Sequence, residues 1–64
     1  MKNIIIKPEA QKKGNKWMPD GMIQFHNGPN LTEHREYYEQ EFDTKEEADA
    51  YFLEISRRKY QIIQ

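Results

Sequence analysis

A chain of 64 residues without cysteine holds one small domain and has neither disulfides nor thiolate metal sites to brace it. Charged residues make up 33% of it and hydrophobic residues 36%, and the net charge of −1 gives no single-sign field that demands nucleic acid or a membrane surface. Eight aromatics (three Phe, four Tyr, one Trp) bring enough buriable area to set the chain apart from disordered sequences.

In chain order, Ile4 to Lys7 reads as a first strand of β-branched residues, closed by Pro8, which cannot donate to a ladder. Glu9 to Lys16 is polar, contains Gly14 and Asn15, and reads as an exposed loop. Trp17 to His26 alternates with period two: Trp17, Pro19, Gly21, Ile23 and Phe25 on one side, Met18, Asp20, Met22, Gln24 and His26 on the other. This predicts a second strand with a bulge or edge position at Pro19, the alternative being a turn at Pro19-Asp20-Gly21.

Asn27-Gly28-Pro29-Asn30 is the strongest turn signal, and a third strand is expected over Thr32 to Phe42. Thr44-Lys45-Glu46-Glu47 then has the form of a capping box. From there Ala48, Tyr51, Phe52, Ile55, Lys59 and Ile62 form one stripe at helical spacing, with acids in the first turn and Arg57, Arg58 and Lys59 near the end. The expected fold is α+β: one domain over residues 1–64, a three-stranded antiparallel meander followed by one C-terminal helix packed on one sheet face. Its expected core is Ile4, Ile6, Trp17, Ile23, Phe25, Tyr38, Phe42, Phe52 and Ile55.

The only early apolar run, Ile4-Ile5-Ile6, is far shorter than a signal peptide's apolar region or a membrane span, so a cytoplasmic location is expected. His26 and His34 flank the predicted turn and, with Glu33 or Glu36, hold the residue types of a two-histidine, one-carboxylate metal site, but without a motif spacing. The acids Glu33, Glu36, Glu39 and Glu41 lack the contrast of environments that acid–base catalysis requires. The only serine, Ser56, has no base beside it in sequence, and the three glycines are isolated, so no phosphate cradle exists. The expectation is a non-enzyme with no cofactor and no metal.

If the helix covers the side of Ile23 and Phe25, then Ile5, Met18, Met22 and Tyr37 face away, and Leu53 and Tyr60 lie on the back of the helix. These six residues form the candidate protein-interaction face, suited to a homodimer or another protein partner, because a chain this small gains missing core by pairing bare faces. The alternative is a nucleic-acid accessory role for Lys12, Lys13, Lys16, Arg57, Arg58 and Lys59, with Trp17 as a stacking surface.

Two resemblances bear on that alternative. Phe42-Asp43-Thr44-Lys45-Glu46-Glu47-Ala48, followed by Tyr51-Phe52, resembles the strand-to-helix junction of the arm-type DNA-binding domains of tyrosine recombinases, and Lys16-Trp17 resembles the start of their second strand. That resemblance implies β-β-β-α order and a sheet that enters the major groove of DNA through basic and polar side chains. Here one side of the third strand shows Glu33, Arg35, Tyr37, Glu39 and Glu41, and the other His34, Glu36, Tyr38 and Gln40, and neither set is basic enough to neutralise phosphates. Ile4-x-Ile6-x-Pro8, Gly14, Trp17, Gly21-x-Ile23, Glu33-His34 and Lys59 with Ile62-Ile63-Gln64 resemble the short HlyU-like bacterial proteins. This second resemblance implies a part in transcriptional regulation and brings no catalytic residue with it.

Overall fold

The computed structural model describes residues 2–60. In chain order they form β1 (Lys2–Pro8), β2 (Gln11–Lys13), β3 (Lys16–Met18), β4 (Asp20–Asn27), β5 (Asn30–Tyr37) and α1 (Lys45–Tyr60). The main sheet has the order β1-β4-β5 with both pairings antiparallel, and β2 and β3 pair as a separate hairpin. The α+β class, the antiparallel strands and the C-terminal helix therefore agree with expectation, but there are five strands rather than three.

The extra strands come from the segment expected to be a loop. Gly14 adopts φ 64°, and with Asn15 it makes a two-residue connection between Lys13 and Lys16, which face each other across the hairpin. A glycine in the left-handed region gives such a turn the twist that its flanking strands need. The expected second strand also divides, into β3 and β4, at the fully buried Pro19. Proline brings no amide hydrogen to the ladder, yet its carbonyl accepts the Tyr38 amide at 3.1 Å. Beyond the break, Trp17 and Phe42 exchange amide and carbonyl, each bond 2.8 Å, so the two chain paths stay side by side. The expected third strand ends early for the same reason: regular pairing stops at Tyr37, beyond which the Tyr38–Pro19 bond and the bridge at Phe42 continue it. Between β4 and β5, Gly28 at φ 63° and Pro29 make the turn that the sequence announces.

The helix begins as its sequence requires. The Glu47 amide donates to Thr44 Oγ1 at 3.2 Å, and the same hydroxyl donates to the Glu47 carboxylate at 3.1 Å. Asp49, in the first turns of α1, accepts the Ala10 amide at 2.9 Å and the Lys45 ammonium at 2.7 Å, tying the segment after β1 to the helix. Ala48, Phe52 and Ser56, spaced by four, are fully buried, while Tyr51 and Ile55 are half-buried. The fully buried line thus keeps Ala48 and Phe52 of the expected stripe and runs on to a serine, with Tyr51 and Ile55 to its side. Ile62, expected at its end, lies outside the described residues.

Gly21 explains how closely the helix lies. A Cβ there would sit 2.5 Å from the Lys7 carbonyl oxygen and 2.7 Å from the Phe52 ring. Glycine alone lets Phe52 rest directly on the backbone of the central strand. Of the expected core, Ile23 and Phe52 are fully buried, and Ile4, Ile6, Trp17, Phe25, Tyr38, Phe42 and Ile55 are half-buried. Pro19, Ala48 and Ser56 complete the buried centre in place of larger side chains. Among the described residues no helix is long and apolar enough to cross a membrane.

Candidate functional site

Residues directly opposite in an antiparallel pair project to the same side, so register sorts the main sheet into two faces. Under α1 lie three rows: Ile4, Phe25 and Thr32; Ile6, Ile23 and His34; Pro8, Gly21 and Glu36. The opposite face carries Asn3, His26 and Leu31, then Ile5, Gln24 and Glu33, then Lys7, Met22 and Arg35. Asp20 and Tyr37 close its fourth row, with Glu9 just beyond the end of β1. No element among the described residues covers this second face.

The uncovered face is where the sequence-derived interaction residues separate. Ile5, Met22 and Tyr37 share it, with Ile5 41% and Tyr37 61% exposed. Met18 lies past the break at Pro19 and lines a cleft with Lys13, Tyr37, Glu39, Gln40 and Glu41, so it borders the face rather than belonging to it. Leu53 is half-buried on the helix. Tyr60 turns the other way: its ring packs edge-on against Phe25, centroids 5.3 Å apart, beneath the helix. It leaves the candidate face because its hydroxyl has a buried partner to reach. Leu31, 52% exposed, stands on the uncovered face and was not among the candidates. The alternation of β4 carried across the turn is the signal that places it, opposite His26.

Arg35 dominates the electrostatics of the uncovered face. Its guanidinium donates to Glu9 at 3.0 Å and to Asp20 at 3.3 Å. Glu33 accepts from the Gln24 side-chain amide at 2.7 Å, and among the described residues Lys7 makes no ion pair. The face is therefore a mosaic of exposed apolar groups and charges of both signs.

Beneath the helix, a single carboxylate collects most of the polar chemistry. Glu36, only 8% exposed, accepts from the Tyr38 hydroxyl at 3.0 Å, from Lys59 Nζ at 2.9 Å and from the Tyr60 hydroxyl. His34 Nε2 lies 2.9 Å away. Burial alone would raise this carboxyl, but the bonds from Tyr60, Lys59 and Tyr38 outweigh it and hold it down to about 2. In return, burial and the nearby carboxylate raise both phenols, and the bond to Glu36 raises Lys59. Ser56 lies beside them, its hydroxyl near enough to Tyr38 to oppose that rise but without a hydrogen bond of good geometry. This cluster fastens the end of α1 to β5. Saturated by its own donors, Glu36 has little capacity left for a substrate.

His34 stands under the helix and His26 on the uncovered face, so the two histidines lie on opposite sides of the sheet. Among the described residues no three metal-ligating side chains converge. The six basic candidates are likewise dispersed. Lys12, Lys13 and Lys16 lie on the small hairpin and Arg57, Arg58 and Lys59 at the helix end. Lys16 pairs with Asp43, Arg58 with Glu54 at 2.8 Å, and Lys59 with Glu36.

Compared with known proteins, the chain matches no family model, no curated protein and no solved structure.

Proposed function

We propose that this domain is a non-catalytic interaction module that docks a protein through the uncovered face of its main sheet. One observation carries the reading: Ile5, Leu31 and Tyr37, the exposed large hydrophobics among the described residues, all stand on that face. Single exposed apolar residues carry no message, whereas three that share one side of one sheet, interspersed with charge of both signs, support a contact surface there. The absence of cysteine suits a reducing compartment such as the cytoplasm. The ion pairs of Lys16, Arg58 and Lys59 with acids of the same chain favour this reading over nucleic-acid binding, because charge already neutralised releases few counterions from phosphate.

Hydroxyl-radical footprinting tests the docking face directly. Met22 and Tyr37 should react several-fold more slowly in native extract than in the dilute purified chain, while Leu53 on the helix keeps its rate. Equal rates at Met22 and Tyr37 in both samples would remove the proposal.

A further inference from the structure

From the arrangement of charge on the uncovered face we infer that its occupant is a second copy of this chain, related by a two-fold axis running across the strands. The inference rests on the docking role proposed above and names the partner. Two sheets packed face to face lie ~10 Å apart, and a two-fold axis between them can run along the strands or across them. The register makes these two choices unequal.

An axis along the strands sets β1 over the partner's β5 without changing rows. Lys7 then falls over the partner's Arg35, and Ile5 over the partner's Glu33. Like charges then oppose, and this separates the two choices, because the apolar-over-charge contact of Ile5 is common to both: it meets the partner's Glu33 about the first axis and the partner's Lys7 about the second. An axis across the strands keeps each strand over its own copy and reverses the rows. Placed between the row of Ile5, Gln24 and Glu33 and the row of Lys7, Met22 and Arg35, it sets Glu33 over the partner's Arg35, and by symmetry Arg35 over the partner's Glu33. The next rows out bring Leu31 over the partner's Tyr37 and His26 over the partner's Asp20.

Two of the three exposed large hydrophobics among the described residues thus find each other, and opposite charges meet beside the axis. An isologous interface needs this self-complementarity, since each patch must be its own mate. Arg35 supports the role because Glu9 and Asp20 already hold its guanidinium in place, so little side-chain freedom is lost when a third carboxylate arrives.

The test is light scattering of the purified full chain over concentrations up to roughly 1 mM, the range in which an interface of modest size declares itself. The expected mass rises with concentration from one chain to two. Glu33→Arg, which sets two arginines face to face, should weaken association by about tenfold or more. The exchange Glu33→Arg with Arg35→Glu should restore it.

Circular dichroism verifies that each variant is folded. Should the exchange variant fail to fold, Leu31→Lys decides in its place, and must weaken association to a similar degree. A wild-type chain that keeps the mass of one copy throughout overturns the inference, as does a folded Glu33→Arg variant that associates like the wild type. In either case, slow footprinting of Met22 and Tyr37 in extract would leave the docking role standing with a different protein as the occupant. Fast footprinting would remove both.

Discussion

The two faces of the main sheet are built from the same three strands, one residue out of phase, and they treat charge in opposite ways. Under the helix, Glu36 is buried and receives donors from Tyr38, Lys59 and Tyr60, so its ionised form is worth more folded than unfolded. One residue earlier, Arg35 is about half exposed and meets Glu9 and Asp20 in the presence of solvent. The first arrangement locks the helix to the sheet. The second pins a cation without drying it, which leaves the outer face ready to meet charge on another molecule. Burial, rather than the number of partners, decides which role a charged residue takes.

The covered face is most sensitive at its backbone. Gly21→Ala drives a methyl group into the Lys7 carbonyl and the Phe52 ring. Urea denaturation should show a loss of about 3 kcal/mol, most of what a domain this small possesses. Unchanged stability would mean that the helix does not rest on β4 as described.

Next in size is Glu36→Gln, which keeps shape and removes charge, with an expected loss of about 2 kcal/mol at neutral pH. The pH dependence has a definite sign. Because the Glu36 carboxyl is held at about 2, below its ordinary 4.5, its contribution is complete above pH 4.5 and drains away as pH falls toward 2. Wild-type stability should decline across that window, and the Gln variant should show a shallower decline. Parallel pH profiles for the two proteins would show that Glu36 is not the anchor.

The smallest effect belongs to the outer face. Arg35→Ala should leave the urea-denaturation midpoint of the dilute chain nearly unchanged, since its ion pairs are exposed and screened by solvent. A loss near that of Glu36→Gln would erase the distinction between the faces.

Much of the covered face is legible in the amino-acid order. The spacing of Ala48 and Phe52, the Thr44–Glu47 cap and the Gly28 turn each combine a local signal with a local cause. Glu36 is not legible, because acids in a strand read as solvated, and its donors arrive from residues up to 24 positions away. Ser56 is missed for a related reason: a hydroxyl in a helix looks like surface until the buried line of Ala48 and Phe52 is followed one turn further. The β2–β3 hairpin was hidden by polar composition, although Gly14-Asn15 carried the turn. On the outer face, alternation alone places Ile5, Met22 and Tyr37 together. Tyr60 was misplaced because helical periodicity cannot foresee a phenol reaching back to a buried carboxylate.

Asp49 carries a consequence for how the chain acquires its shape. Its bond to the Ala10 amide closes a span of 39 residues, nearly two-thirds of the sequence. A link of that length cannot form until the intervening strands have brought its ends together, so it belongs to the late, slow part of folding. Once made, it couples the departure of the first strand to the opening turn of the helix, and neither frays without loosening the other.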